Sequence, residues 1–129
     1  MSVRSFLFCT LMAASASLHA AGLGPIVIHS ALGQPLNAEI EITTLGPKEF
    51  ESLNVRVASP ELYKERGITY QGLVRNIRLV PTKRENGSAY LKATTVGPLN
   101  EPLVDLLVDF AWPGGRLVQK YSLALDPPR

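Results

Sequence analysis

Asp105 and Asp109 are the carboxylates whose spacing first invites a catalytic reading, since paired carboxyl groups can divide acid and base work between them. Around them Val104, Leu106, Val108 and Phe110 alternate with Asp105, Leu107, Asp109 and Ala111, as the two faces of a strand do. Both aspartates then share one face, about 13 Å apart at roughly 3.3 Å per residue. Hydrolytic carboxylate pairs stand about 5–9.5 Å apart, so one strand cannot supply such a pair. The two are expected to be solvated and to pair across strands with Arg116 or Lys120.

The other reactive residue types are as sparse. Histidine occurs only as His19 and His29, and cysteine only as Cys9. A lone His29 in a strand is expected to be a partly buried structural residue. Without a second nitrogen or sulfur donor beyond residue 20, zinc sites rich in those donors are out of reach. Ser30, Ser52, Ser59, Ser88 and Ser122 lie outside any Gly-x-Ser-x-Gly elbow. No Asp-x-Asp-x-Asp-Gly calcium loop occurs, and no glycine-rich loop opens a helix to cradle phosphate. The expectation is a non-enzymatic protein with no cofactor and no metal.

Charge narrows the partners. The formal net charge is +2, and past Arg4 the basic residues run from Lys48 to Arg129 interleaved with acids. Nucleic-acid binding needs a basic stripe that neutralises phosphates, and none is present.

The first twenty residues have the layout of a secretory signal. Arg4 precedes the apolar run Phe6-Leu7-Phe8-Cys9-Thr10-Leu11-Met12-Ala13-Ala14, and small residues follow to Ala20-Ala21. From Ser5 to Leu18 a helix would reach only about 21 Å at 1.5 Å per residue, short of a hydrocarbon core of about 30 Å. Residues 1–20 are therefore read as a cleavable signal peptide and residues 21–129 as one domain. That domain would carry no membrane span, and it loses Cys9 and with it any disulfide.

The elements that must position the remaining residues are short strands. Residues 26–30 read as the first strand, and Leu36, Ala38, Ile40 and Ile42 give the second one apolar face. Leu53, Val55 and Val57 mark the third, and Ile77 and Leu79 suggest the fourth. Asn86-Gly87 signals a hairpin into a fifth strand over residues 90–94. The sixth and longest runs from Val104 to Trp112. Pro113-Gly114-Gly115 turns the chain into the seventh, where Leu117, Tyr121, Leu123 and Leu125 share a face and Gln119 is the polar exception. Asp126-Pro127-Pro128 ends it.

Residues 47–53 are expected to form a short helical turn, and residues 59–67 a better one. There Ser59 can cap, Pro60 suits the first helical position and Gly67 can terminate. The fold class is all-β: an immunoglobulin-like antiparallel β-sandwich of about seven strands with one or two short helical turns, a small closed β-barrel being the alternative. Trp112 falls on the core face of the sixth strand. Leu107 and Ala111 fall on its other face, which is either partly covered or a modest contact patch. If that face is open, Leu107→Ala costs clearly less stability than Trp112→Ala.

Several words along the chain are unusual: Ser30-Ala31-Leu32-Gly33-Gln34-Pro35-Leu36 with Ala38-Glu39-Ile40, and Val55-Arg56-Val57-Ala58-Ser59-Pro60-Glu61. Asn100-Glu101-Pro102 before Val104-Asp105-Leu106-Leu107-Val108 follows, then Trp112, Gly115-Arg116-Leu117, Tyr121 and Leu125-Asp126-Pro127-Pro128. In this order they resemble the N-terminal domain of FimV-type proteins. The resemblance implies a periplasmic domain that acts through protein contacts in type IV pilus assembly and twitching motility. Long members of that family continue to a LysM module, a transmembrane helix and a cytoplasmic repeat region. The sequence stops at Arg129, so none of those activities is carried over.

Most of the shared words read as architecture: a turn, a helix start, a hairpin. Asn100-Glu101-Pro102 is a polar word on a loop, which packing explains less well. These three residues, with Arg116, are the candidate partner-binding residues, expected at opposite ends of the sixth strand as two separate contacts. The expected partner is an envelope or pilus-assembly protein, one route being a strand added at a sheet edge. Peptidoglycan is the competing ligand, disfavoured because few aromatics are available for a sugar-binding platform.

Overall fold

The computed structural model describes residues 22–43, 45–46 and 48–127. The signal-peptide assignment, Pro47 at the start of the first helical turn, and Pro128 lie outside them. Seven strands form two antiparallel sheets: β1 (Gly22–Ile28), β2 (Pro35–Thr43), β3 (Asn54–Val57), β4 (Arg78–Lys83), β5 (Ala89–Pro98), β6 (Leu103–Trp112) and β7 (Gly115–Ala124). The first sheet has the order β1-β2-β5-β4 and the second β3-β6-β7. The sheets stay open at their edges, which makes this a sandwich and not a barrel.

The core is what strand alternation demands. Leu36, Ala38, Ile40 and Ile42 of β2 are buried with Leu91 and Ala93 of β5. They join one cluster with Val104, Leu106, Val108 and Phe110 of β6 and Leu123 of β7. The two sheets are also tied across the whole sequence, because the Tyr121 hydroxyl donates to the Gly24 carbonyl at 2.6 Å. Burial pushes that phenol up to about 12.

Local signals place most of the connections. Ser59 Oγ accepts from the Leu62 amide at 3.2 Å, and Pro60 opens α1 (Pro60–Glu65). Gly67 ends it at φ 70°, with Ile68 N–H donating to Tyr63 O and Gly67 N–H to Lys64 O, the paired closure of a left-handed cap. Gly87, at φ 90°, closes the β4–β5 hairpin through Gly87 N–H to Arg84 O and Arg84 N–H to Ser88 O. The first helical turn shrinks to a 3₁₀ turn at Phe50–Ser52.

Other elements differ from expectation. β1 starts at Gly22, earlier than the apolar run, and pairs with β2 through a register shift between Leu23 and Ile26. β4 begins after Ile77 and carries Pro81, tolerated because β4 is an edge strand. A second 3₁₀ turn, Gly72–Asn76, buries Val74. His29 is exposed beyond β1, 3.4 Å from Glu39, and is not partly buried.

The largest correction concerns β6, which is buried on both faces. Leu107 is 1% exposed. Its face is covered because α1 folds over it and sets Tyr63, itself fully buried, against the strand. The Tyr63 hydroxyl donates to Asp105 O at 2.9 Å and accepts from Leu107 N–H at 2.8 Å. Trp112, placed in the core by alternation, is only half-buried. Its ring lies 5.6 Å from that of Phe110 and folds back over Gly114, where a Cβ would come within 2.8 Å of Nε1.

Candidate interaction surface

One end of the sandwich gathers the β1–β2 turn, the β5–β6 loop and the segment after β7. Gly33 N–H donates to Leu99 O at 2.7 Å and Leu99 N–H to Gln34 O at 2.9 Å. Leu32 N–H donates to Asp126 O at 2.8 Å, and Leu125 N–H to Pro102 O at 2.9 Å. Gly33 sits at φ 86°; the bonds to Leu99 and Pro102 clamp the β5–β6 loop from both sides, and the Leu32–Asp126 bond ties the two flanking segments to each other. Asn100, Glu101 and Pro102 nevertheless remain exposed. Among the described residues, no side-chain hydrogen bond or ion pair engages Asn100 or Glu101.

The loop has apolar neighbours that sequence alternation hid inside strands. Val96 is 89% and Leu103 66% exposed. Val96 lies near the end of β5, past the last β4–β5 pair at Thr94, so no β4 residue stands opposite it. A cleft of about 210 Å³ lined by Leu73, Asn76, Val96, Pro98 and Leu99 opens there. A polar loop beside exposed apolar side chains is the usual composition of a small contact patch.

Arg116 is elsewhere. It stands opposite Ala111, roughly 26 Å along β6 from Leu103 at about 3.3 Å per residue. The structure therefore does not bring it together with Asn100, Glu101 and Pro102. Its guanidinium grips Asp109 through Nε to Oδ1 at 2.8 Å and a second nitrogen to Oδ2 at 2.9 Å. Arg56 adds a contact at 3.5 Å. Asp109 does pair with Arg116, as expected, but it is buried and not solvated. Leu107 and Ala111 on the same face were the available sign of a covered surface. Asp105 is half-buried and accepts from the Ser122 hydroxyl at 3.2 Å; neither aspartate pairs with Lys120 among the described residues.

The hydrogen bonds from Arg116, helped by the charges of Arg116 and Arg56 and opposed by burial, lower the Asp109 pKa. A depressed folded pKa contributes stability above the ordinary aspartate value of about 3.9, and that contribution is lost as pH falls through the folded pKa. Denaturant midpoints measured on the way down from about pH 5 should fall in the wild type. In Asp109→Asn they should start lower and fall less. Parallel acid limbs in the two proteins would remove Asp109 as a contributor.

Among the described residues no group of three or more histidine, cysteine or acidic side chains could hold a metal. No helix among them is long and apolar enough to cross a membrane. Two antiparallel sheets of four and three strands, joined face to face over one core, define an immunoglobulin-like β-sandwich domain. Residues 21–128 match the family described as the FimV N-terminal domain, an Ig-like domain. The chain belongs to that family. It is 35% identical over 114 residues to the protein named motility hub protein FimV from each of two strains of Pseudomonas aeruginosa. The match covers 88% of this chain but 12% of those relatives, so the chain spans about an eighth of their length. No solved structure matches.

Proposed function

We propose that this chain is an exported, non-enzymatic protein-contact module of the periplasm that serves type IV pilus assembly and twitching motility. The observation that carries this is its likeness, over nearly its whole length, to one domain of a motility hub protein. The clamped loop supports docking through Asn100, Glu101 and Pro102, since its backbone is held while its side chains face outward. The competing ligand, peptidoglycan, calls for exposed aromatic faces. Here Tyr63 and Tyr121 are buried, the Arg84 guanidinium lies 4.2 Å above the Tyr90 ring, and Trp112 folds onto its own turn.

Pull-down from an envelope extract, run beside sedimentation with purified peptidoglycan, tests the assignment; retention on peptidoglycan with no protein captured would overturn it. Glu101→Ala should hold its denaturant midpoint, because an exposed substitution away from packing stays within about 0.5 kcal/mol. It should also lose envelope partners, and undiminished capture by the folded variant would clear the loop. Export predicts that mass spectrometry of the periplasmic fraction finds a chain cut near Ala20. An intact Met1 in the membrane pellet would contradict that.

A further inference from the structure

Strand edges are where a protein of this class can add a partner's strand, and most of the edges here are closed. Beyond the end of β3, the outer edge of β6 is filled by side chains. Gln71 donates Nε2–H to Leu103 O and accepts from Asp105 N–H, both at 3.0 Å, and Tyr63 bridges Asp105 O and Leu107 N–H. On the opposite side β1 and β7 are held beside each other by the Tyr121 bond to Gly24. β4 is broken as a donor edge by Pro81, which has no N–H.

β3 is different. Ala58 N–H donates to Leu107 O at 2.8 Å, so antiparallel alternation turns the backbone groups of Ala58 and Arg56 toward β6. The N–H and C=O of Val55 and Val57 then point away from β6, and no hydrogen bond among the described residues takes them. They face an open groove of about 440 Å³ between β3 and β4, with residues 55–60 on one side and residues 77–80, Tyr70 and Arg75 on the other. Arg56, Arg75 and Arg78 line this groove, and no carboxylate does. Arg75 bonds only a backbone carbonyl, Gly72 O at 3.3 Å. Arg78 makes no ion pair among the described residues, and the Asp109 carboxylate near Arg56 is already gripped at both oxygens by Arg116.

We propose that this groove takes an extended acidic peptide segment of a partner protein as an added strand beside β3. Its main chain pairs with Val55 and Val57, alternate apolar side chains enter the groove, and its carboxylates meet Arg56, Arg75 and Arg78. The assignment rests on the protein-contact reading above and names a second surface, distinct from the Asn100–Pro102 loop. The probe is a labelled peptide of about ten residues alternating valine and glutamate, followed by fluorescence anisotropy. It should bind, weaken as salt rises, and protect the Val55 and Val57 amides from hydrogen exchange.

A valine–lysine peptide should not bind. The double variant Arg75→Glu/Arg78→Glu changes only exposed side chains, should keep its denaturant midpoint, and should lose affinity by about tenfold or more. Equal binding of the lysine peptide, undiminished binding by the double variant, or unprotected Val55 and Val57 amides would each overturn the proposal. So would co-sedimentation of the wild type with peptidoglycan that the double variant loses, since the groove would then serve the wall. If the peptide fails while the wild type still captures envelope protein and Glu101→Ala does not, only the groove falls and the contact-module reading stands.

Discussion

Tyr63→Ala will cost about 3–5 kcal/mol, the range for removing a fully enclosed aromatic side chain. Few substitutions in this domain should cost more. The ring is completely buried and meets Tyr70 edge-on at 5.0 Å between centroids. Its hydroxyl also serves two backbone groups of β6 that no strand reaches. Total stabilities of single domains are about 5–15 kcal/mol, so the variant will stand near the threshold of folding. Tyr63→Phe separates the two contributions. It keeps the ring, strands Asp105 O and Leu107 N–H on a covered edge, and should cost about 1–3 kcal/mol. Urea midpoints of the two variants check both values. A Tyr63→Phe midpoint equal to wild type would mean water reaches that edge freely.

Leu107→Ala will cost about 2–5 kcal/mol, because the side chain is enclosed between β6 and α1 and its removal leaves a cavity. That reverses the order expected from strand alternation alone. Trp112→Ala should cost no more than Leu107→Ala, since the indole is half-buried at a hairpin end and rests partly on its own glycine turn. Denaturant midpoints measured on the pair decide the order. A distinctly larger loss for Trp112→Ala would show that α1 packs loosely on β6.

The difference between the two orders shows what sequence can and cannot carry. Alternation at Leu36, Ala38, Ile40 and Ile42 identifies β2 and its buried face, because a period of two has one physical cause in a half-covered sheet. Ser59, Pro60 and Gly67 locate α1 for equally local reasons. For Leu107 the local sign is weak, since it shares its face with Ala111 but also with two aspartates. Its cover comes from Tyr63, more than forty residues earlier, and only the folded chain brings the two together. Asp109 is hidden for a related reason: a carboxylate in a strand reads as solvated until the register sets Arg116 diagonally across from it.

β1 is obscured by composition, since Gly22, Gly24 and Pro25 suggest a loop, yet the register shift after Leu23 lets the segment join the sheet. Of the candidate contact residues, the exposure of Asn100, Glu101 and Pro102 was legible as a polar word between two strands. Their neighbours Val96 and Leu103 were not, because an apolar residue in a strand looks like core until the partner strand is found to end short of it.

The bond from Tyr121 to Gly24 joins positions 97 residues apart, and the Leu32–Asp126 bond spans nearly as far. The sandwich is therefore closed by its last strand acting on its first. A chain emerging from the ribosome can form the β2 and β4–β5 pairings early, but it cannot complete the domain until β7 has been made. Closing so long a loop is slow compared with local helix or hairpin formation. Until β7 has been made the domain thus stays unsealed and open to chaperones, and it closes only when that strand supplies Tyr121.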